Sequence, residues 1–407
     1  MENLLFLSFI LLGAGVAVVP IAVWLGLGSV LGFLIAGILL GPALAALDVD
    51  LDNIEQFAEF GVVMMLFLIG LELAPRKLWD LRHRLLGLGG LQMICTTAAI
   101  MAAAIALGQV WQVALAIGLI FSLSSTAIVL QTLHEKDLIM SSGGQSSFSV
   151  LLMQDIAVIP VLALLPLLAQ PELSQATLSG SGSATGPSTS LVHGLPEWLR
   201  AVVTLSAIVF VVFCGSYLIK PVFRYVESAK LPELFTAMAL TMVIGVAVLM
   251  MVVGLSPALG AFVAGVVLAN SEYRHALEQE ISPFKGLFLG LFFVSVGASI
   301  NIELLLEYLG LIVGLTLGVM ACKAMVLFGL GRLFGHSGAS NWLFALGMSQ
   351  VGEFGFVLLS FAVTNHVIGG DLASMLVLIV ALSMVFTPLL FLLYDKAIAP
   401  KSTVPST

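Results

Sequence analysis

Val150-Leu-Leu-Met-Gln-Asp-Ile-Ala-Val-Ile159 sets a single carboxylate, Asp155, inside an apolar run whose nearest charged neighbours are Asp137 and Glu172. The run extends over about 146–169, enough for one α-helix to cross a ~30 Å hydrocarbon core. The rest of the chain is of the same kind. Of its 407 residues 60% are apolar and 9% charged, the formal charge is -8, and the mean hydropathy is +1.15. A soluble domain carries roughly 25% charge, so this composition is that of an integral membrane protein. Disorder, a collagen-like fibre and a nucleic-acid-binding domain are excluded by the same figures.

Working outward from Asp155, thirteen apolar segments can be read at about 4–22, 27–46, 54–73, 85–107, 111–133, 146–169, 198–219, 232–253, 255–270, 284–300, 303–331, 340–364 and 371–394. They are continuous rather than alternating, which selects helices over the ~10-residue strands of a membrane barrel. Lysine and arginine orient them. With the N-terminus outside, Arg76, Lys77, Arg82, Arg84, Lys136, Lys220, Arg224, Lys230, Arg274, Lys285, Arg332, Lys396 and Lys401 fall inside, while the outer loops keep only Arg200. The acidic stretch Asp48, Asp50, Asp52 and Glu55 falls outside. The N-terminus lacks a basic region before its first apolar run and reads as a span, not a cleaved signal. Cys95, Cys214 and Cys322 are scattered and suggest neither a disulfide framework nor a zinc site.

The chain also repeats itself. Leu31, Gly32, Ala36 and Gly37 recur 228 positions later as Leu259, Gly260, Ala264 and Gly265. Near-equal offsets pair Phe57 with Phe284, Gly70 with Gly297, and Gly118 with Gly347. Six helices, a connector and six more reverse the second copy across the membrane, the inverted-repeat plan of secondary transporters. The expected organisation is therefore a first repeat over 1–169, an external linker and connector helix over 170–231, a second repeat over 232–394, and a tail over 395–407. Within the linker, Ser179 to Ser190 is rich in serine, glycine and threonine, as flexible linkers are.

Two spans in corresponding positions carry residues that favour local unwinding: Ser122-Leu-Ser-Ser-Thr126 in the fifth and Ser349-Gln-Val-Gly-Glu-Phe-Gly355 in the twelfth. Freed backbone groups at mid-membrane are tolerated only beside protein or a cavity, and unwound carbonyls at half-helix C-termini attract cations. Ser124, Ser125 and Thr126 are accordingly candidate ion ligands. So is Gln154, whose amide oxygen could complete a cation's shell or contact a neighbouring helix. Three ionisable residues lie deepest: Asp155, Lys323 and Glu353. A central charge costs roughly 2.5–3.5 kcal/mol on insertion scales and usually faces a partner or an aqueous path. Asp155 is read as the carboxylate that holds a cation when ionised and a proton when neutral. Lys323 is expected to pair with Asp155 or Glu353, or else to reach toward the inner surface. Glu72 and Arg76, four apart, form an expected interfacial pair, and Glu59 lies nearer the outer end of the same span.

These motifs resemble the monovalent cation:proton antiporter-2 family, and within it the Kef-type potassium efflux systems. The resemblance rests on Gly26-Leu-Gly-Ser-Val-Leu-Gly-Phe-Leu-Ile-Ala-Gly37, Met65-Leu-Phe-Leu-Ile-Gly-Leu-Glu-Leu73, Ser122 to Ala127, Gln154-Asp155, His275 to Gly286 and Gly352-Glu-Phe354. It implies a thirteen-helix, all-α antiporter fold with two crossing, partly unwound helices, a homodimer with a dimerisation domain and a mobile core, and Asp155 as the ion-binding carboxylate. Related antiporters carry Asp-Asp or Asn-Asp where this chain has Gln154-Asp155, and a single carboxylate implies electroneutral exchange of one potassium for one proton. The resemblance also implies a cytosolic nucleotide-binding RCK domain under glutathione control, served by an ancillary oxidoreductase subunit. No strand–glycine–helix nucleotide unit occurs in this chain, so no cofactor is expected here beyond the transported potassium ion and proton. The inner connectors carrying His134, Glu135 and Asp137, and His275, Glu278 and Glu280, are where such a domain would dock.

The resulting expectation is a potassium:proton antiporter of the bacterial inner membrane, multi-pass, with its C-terminus in the cytoplasm. A gated potassium channel using the same site, or a sodium:proton antiporter, is the alternative, since both ions accept the same oxygens. No zinc signature, nucleophile elbow or paired catalytic aspartates support an enzyme.

Overall fold

The computed structural model describes residues 2–25, 28–46, 85–170, 231–253, 257–269, 271–298, 300 and 302–398, with parts of 63–71 and 206–228. Every regular element among them is helical. Those with described bounds are α1 (Glu2–Trp24), α2 (Gly28–Ala46), α3 (Leu91–Ala106), α4 (Trp111–Ser122), α5 (Thr126–Glu135), α6 (Ser142–Leu164), α7 (Ile219–Ser228), α8 (Pro232–Val252), α9 (Pro257–Leu268), α10 (Arg274–Ala298), α11 (Ile302–Glu307), α12 (Leu309–Leu333), α13 (Gly338–Gly347), α14 (Phe354–Thr364) and α15 (Gly370–Ala397). A wide π-turn over Leu85–Gly90 leads into α3, and a 3₁₀ turn over Leu165–Leu168 closes α6.

Five of these helices are long and apolar enough to cross a membrane among the described residues: 87–106, 142–162, 233–252, 309–333 and 370–396. Others are shorter for a physical reason. The apolar runs at 111–133 and 340–364 each divide into two pieces of 10–12 residues. At 1.5 Å per residue each piece spans about 15–18 Å, half of a hydrocarbon core. The breaks fall at Leu123–Ser125 and Met348–Glu353, on the polar and glycine-bearing stretches expected to unwind.

The structure corrects two connectors. Residues 274–285, read as a loop bearing His275, Glu278 and Glu280, are the first turns of α10. They are polar because that part of α10 precedes its apolar stretch at 289–298, yet Ala, Leu, Glu, Gln and Lys are good helix formers. Likewise Ile219–Ser228, placed in an inner loop after the seventh segment, is helical and buries Phe223 and Val226 on one face while exposing Tyr225. The third segment from 72 onward, with Glu72 and Arg76, lies outside the described residues, as do Glu59 and the linker from 171 to 205.

The chain forms two compact units, one from 1–42, 82–180 and 296–407, the other from 43–81 and 181–295. Each unit takes residues from both expected repeats. The second is an apolar core of Met64, Phe67, Leu71, Phe223, Ala239, Val243, Ala261, Ala264 and Leu277, with Phe223 packed on Phe235 and Tyr273 at ring-centroid distances of 5.0 and 5.2 Å. The first unit has an apolar inner cluster around Val129, Val150, Leu327, Phe344 and Tyr394, and it holds both breaks and Asp155.

Candidate ion-binding site

The two breaks cross. A Cβ added to Gly352 would lie 2.5 Å from the carbonyl carbon of Ser124 and 2.8 Å from the Ser125 nitrogen. Only glycine lets the two backbones meet this closely, and the Gly352 N–H donates to the Leu123 carbonyl at 3.1 Å. The Ser124 hydroxyl donates across the crossing to the Met348 carbonyl at 2.8 Å. On the far side, the Val351 N–H donates to the Ser383 hydroxyl of α15 at 3.0 Å. Unwound backbone is thus met by protein on each side, as a mid-membrane break requires.

α6 clamps the first break through two consecutive residues. Gln154 is buried, and its Oε1 accepts from the Ser124 N–H at 2.8 Å. Its Nε2 donates to Gln92 Oε1 at 2.8 Å and to the Ser122 carbonyl at 3.2 Å. The Gln92 amide donates in turn to Thr96 Oγ1 and to the Ser122 carbonyl, both at 3.1 Å. Both ends of the Gln154 amide are engaged at the break, the contact with a neighbouring helix that its residue type allows beside a place in a cation's shell. Gln92 and Thr96 escaped the sequence reading, because a glutamine and a threonine one turn apart carry no charge to flag them.

Asp155, one residue on, faces differently. It is half-buried, and its Oδ1 accepts from the Thr126 hydroxyl at 3.0 Å. Thr126 opens α5, with Ser125 as N-cap accepting from the Ile128 N–H at 3.3 Å. Of the three hydroxyls proposed as ion ligands, the Thr126 one reaches Asp155, whereas those of Ser124 and Ser125 hold the crossing and the helix start. Glu353 is 7% exposed and immediately precedes α14, where a helix N-terminus favours negative charge.

Lys323 behaves otherwise than expected. Its helix α12 buries one stripe, Ile312, Thr316, Met320, Lys323, Leu327 and Leu330, the spacing of a single helix face. The ammonium is fully buried and donates to the Leu123 carbonyl at 2.8 Å, Ser124 Oγ at 3.1 Å and the Gln350 carbonyl at 2.7 Å. Its ammonium thus meets neutral oxygens at the crossing rather than reaching toward the surface. The reason is local: the carbonyls exposed by the two breaks lie at half-helix C-terminal ends, where a cation is favoured.

At the end of this unit that holds His134 and Asp137, Lys136 pairs with Asp395, joining the end of α5 to α15. His336 Nε2 lies 2.8 Å from the Ser146 hydroxyl, and burial pushes its imidazole below the ordinary histidine range. In the other unit His275 stands 3.7 Å from Glu278, and Thr236 hydrogen-bonds Glu280.

The family model described as the transmembrane part of the sodium/hydrogen exchanger matches residues 10–392. The chain belongs to the sodium/hydrogen exchanger family. With five described helices long and apolar enough to cross a membrane, this member is a multi-pass membrane protein. Two curated relatives, both named glutathione-regulated potassium-efflux system protein KefC, come from Klebsiella pneumoniae subsp. pneumoniae and Klebsiella pneumoniae strain 342. They are 46% and 47% identical over 395 residues, 97% of this chain. The chain spans 61% of the length of those relatives. The solved sodium proton antiporter MjNhaP1 from Methanocaldococcus jannaschii superposes with a TM-score of 0.61 at 18% identity, covering 97% of this chain and 98% of that one. That likeness speaks for the fold.

Proposed function

We propose that this exchanger moves potassium outward against protons by alternating access, with the cation and the proton competing for Asp155. The observation that carries the reading is the setting of that carboxylate: half-buried, held by the Thr126 hydroxyl, at the edge of a crossing where Ser124 is committed to Gln154 and to the Met348 carbonyl. Desolvation favours its neutral form and an adjacent cation its ionised form, so one group serves both ions in turn. Gln154, occupied by Ser124 and Gln92, adds no second carboxylate, which favours electroneutral exchange. The naming of the KefC relatives as potassium-efflux proteins favours potassium over sodium.

The thirteen-span inverted repeat is supported by a pair of matching contacts. A Cβ on Gly297 would meet the Leu34 carbonyl at 2.3 Å and Gly37 at 2.9 Å. A Cβ on Gly265 would meet the Phe67 carbonyl at 2.1 Å and Gly70 at 3.0 Å. Gly37 and Gly265, like Gly70 and Gly297, are repeat equivalents, so each contact is the other's image. The inner-surface bias of lysine and arginine supports a cytoplasmic C-terminus in the bacterial inner membrane, the KefC names support regulation by glutathione, and the homodimer, RCK domain and ancillary oxidoreductase implied by the sequence resemblance belong to the same reading.

The test is proton-coupled flux in proteoliposomes with potassium, sodium or rubidium. Potassium and rubidium are expected to drive saturable proton movement that Asp155→Asn abolishes. Flux that survives Asp155→Asn overturns the reading. Potassium currents without proton movement favour the channel alternative instead.

A further inference from the structure

Three glutamines are buried in or beside the crossing, and they fare differently. Gln92 and Gln154 pair their amides with each other, with Thr96 and with the backbone of the first break. Gln350, in the second break, is fully buried, yet neither end of its side-chain amide has a hydrogen-bond partner. Among the described residues no other side chain has both ends so placed. The main chain around it is held. Its carbonyl accepts from Lys323 at 2.7 Å, the Val351 N–H donates to the Ser383 hydroxyl at 3.0 Å, and the Ser349 hydroxyl donates to the Leu346 carbonyl at 2.9 Å. Unpaired in this way, a buried amide raises the energy of the conformation that contains it, which an apolar side chain of equal length would not do. Methionine is such a side chain, and the chain is 60% apolar, so the amide is kept at the expense of stability. Groups that store strain cluster at sites that switch, and the second break is one half of the crossing.

We propose that Gln350 sets the turnover rate: its amide raises the energy of the conformation described here and is paired only once the crossing has rearranged during the transport cycle. The climb out of this conformation is shortened by the strain of the idle amide, so the exchanger does not rest in it. The inference rests on the alternating-access reading above for its cycle, and on the buried amide alone for its effect on stability.

The experiment compares the full chain with Gln350→Met, Gln350→Leu and, as a control whose amide is paired, Gln154→Met. Thermal unfolding is followed in detergent, and proton-coupled flux in proteoliposomes with whichever of potassium, sodium and rubidium the unsubstituted chain exchanges. Both Gln350 variants are expected to raise the unfolding midpoint by about 2 °C or more, while Gln154→Met lowers it. Their exchange at saturating cation is expected to fall about tenfold with no rise in KM, the pattern of relieved ground-state strain rather than of a lost ligand. A lowered midpoint in both, which an amide satisfied by an internal water would give, overturns the proposal. So does an unchanged rate, a raised KM, or failure of both variants to fold. Preference for sodium, or exchange that survives Asp155→Asn, would sink the earlier reading and leave this one standing.

Discussion

The two units of this chain solve the problem of a buried interior in opposite ways. The unit of 43–81 and 181–295 packs alanine, valine and phenylalanine and brings helices together at Gly70 and Gly265. The other unit places at its crossing a set of polar groups, Gln92, Ser122, Ser124, Gln154, Lys323 and Ser383, all buried and hydrogen-bonded across helices far apart in sequence. In the first, close approach of small residues holds helices together, as is usual where lipid offers no hydrophobic drive. In the second, directional bonds fix the positions of unwound carbonyls. Mutations should therefore be graded in the first unit and disproportionate in the second.

The sharpest contrast pairs two glycines. Gly352→Ala forces a Cβ onto the Ser124 backbone, and overpacking of this kind costs about 1–3 kcal/mol. Because it also displaces the break beside Asp155, exchange should fall by about 100-fold. Gly265→Ala meets the Phe67 carbonyl at least as closely and should cost similar stability, yet leave the potassium KM of the folded transporter unchanged. Flux assays beside thermal unfolding separate the two, and equal losses of exchange would break the comparison.

A milder intervention is Gln92→Met, which removes the acceptor for Gln154 Nε2 and two donors. At about 0.5–1.5 kcal/mol per net bond, it should raise the potassium KM by about tenfold and shift the pH dependence of exchange. A KM unaltered in Gln92→Met would remove Gln92 from the positioning network. Smaller still is the titration of His336. Its folded form resists protonation because of burial, so the unfolded state binds more protons as pH falls. Stability from this group is complete above the unfolded pKa of about 6.5 and declines as pH drops below it. His336→Gln should flatten that part of a midpoint-against-pH curve. Least of all, Lys136→Ala should cost about 0–1 kcal/mol, less at high salt, since the Lys136–Asp395 pair is partly exposed.

The helices and both breaks could be read from the sequence because membrane helices announce themselves by composition, and serine, threonine and glycine at mid-span announce their interruption. Asp155 stood out as the one charge in its run. What the sequence withheld were partners. Lys323 meets residues about 200 positions earlier, and no local pattern encodes that meeting, so a carboxylate was the natural guess and backbone carbonyls the answer. Gln92 was invisible because neutral amides are unremarkable in a chain that is 60% apolar. The helical starts at Ile219 and Arg274 are hidden in the sequence because polarity marks only the end of a helix's apolar stretch, not the end of the helix.

The paired grip of α6 has a mechanical consequence. Gln154 is tied to Ser124 and Asp155 to Thr126, so a shift of the carboxylate strains the bonds that hold the kinked backbone. On the proposed alternating-access reading, a rearrangement that exposes the site to opposite faces would carry Asp155 and the Thr126 hydroxyl together. Ion choice would then be decided by local geometry alone, insulated from the gear that turns it.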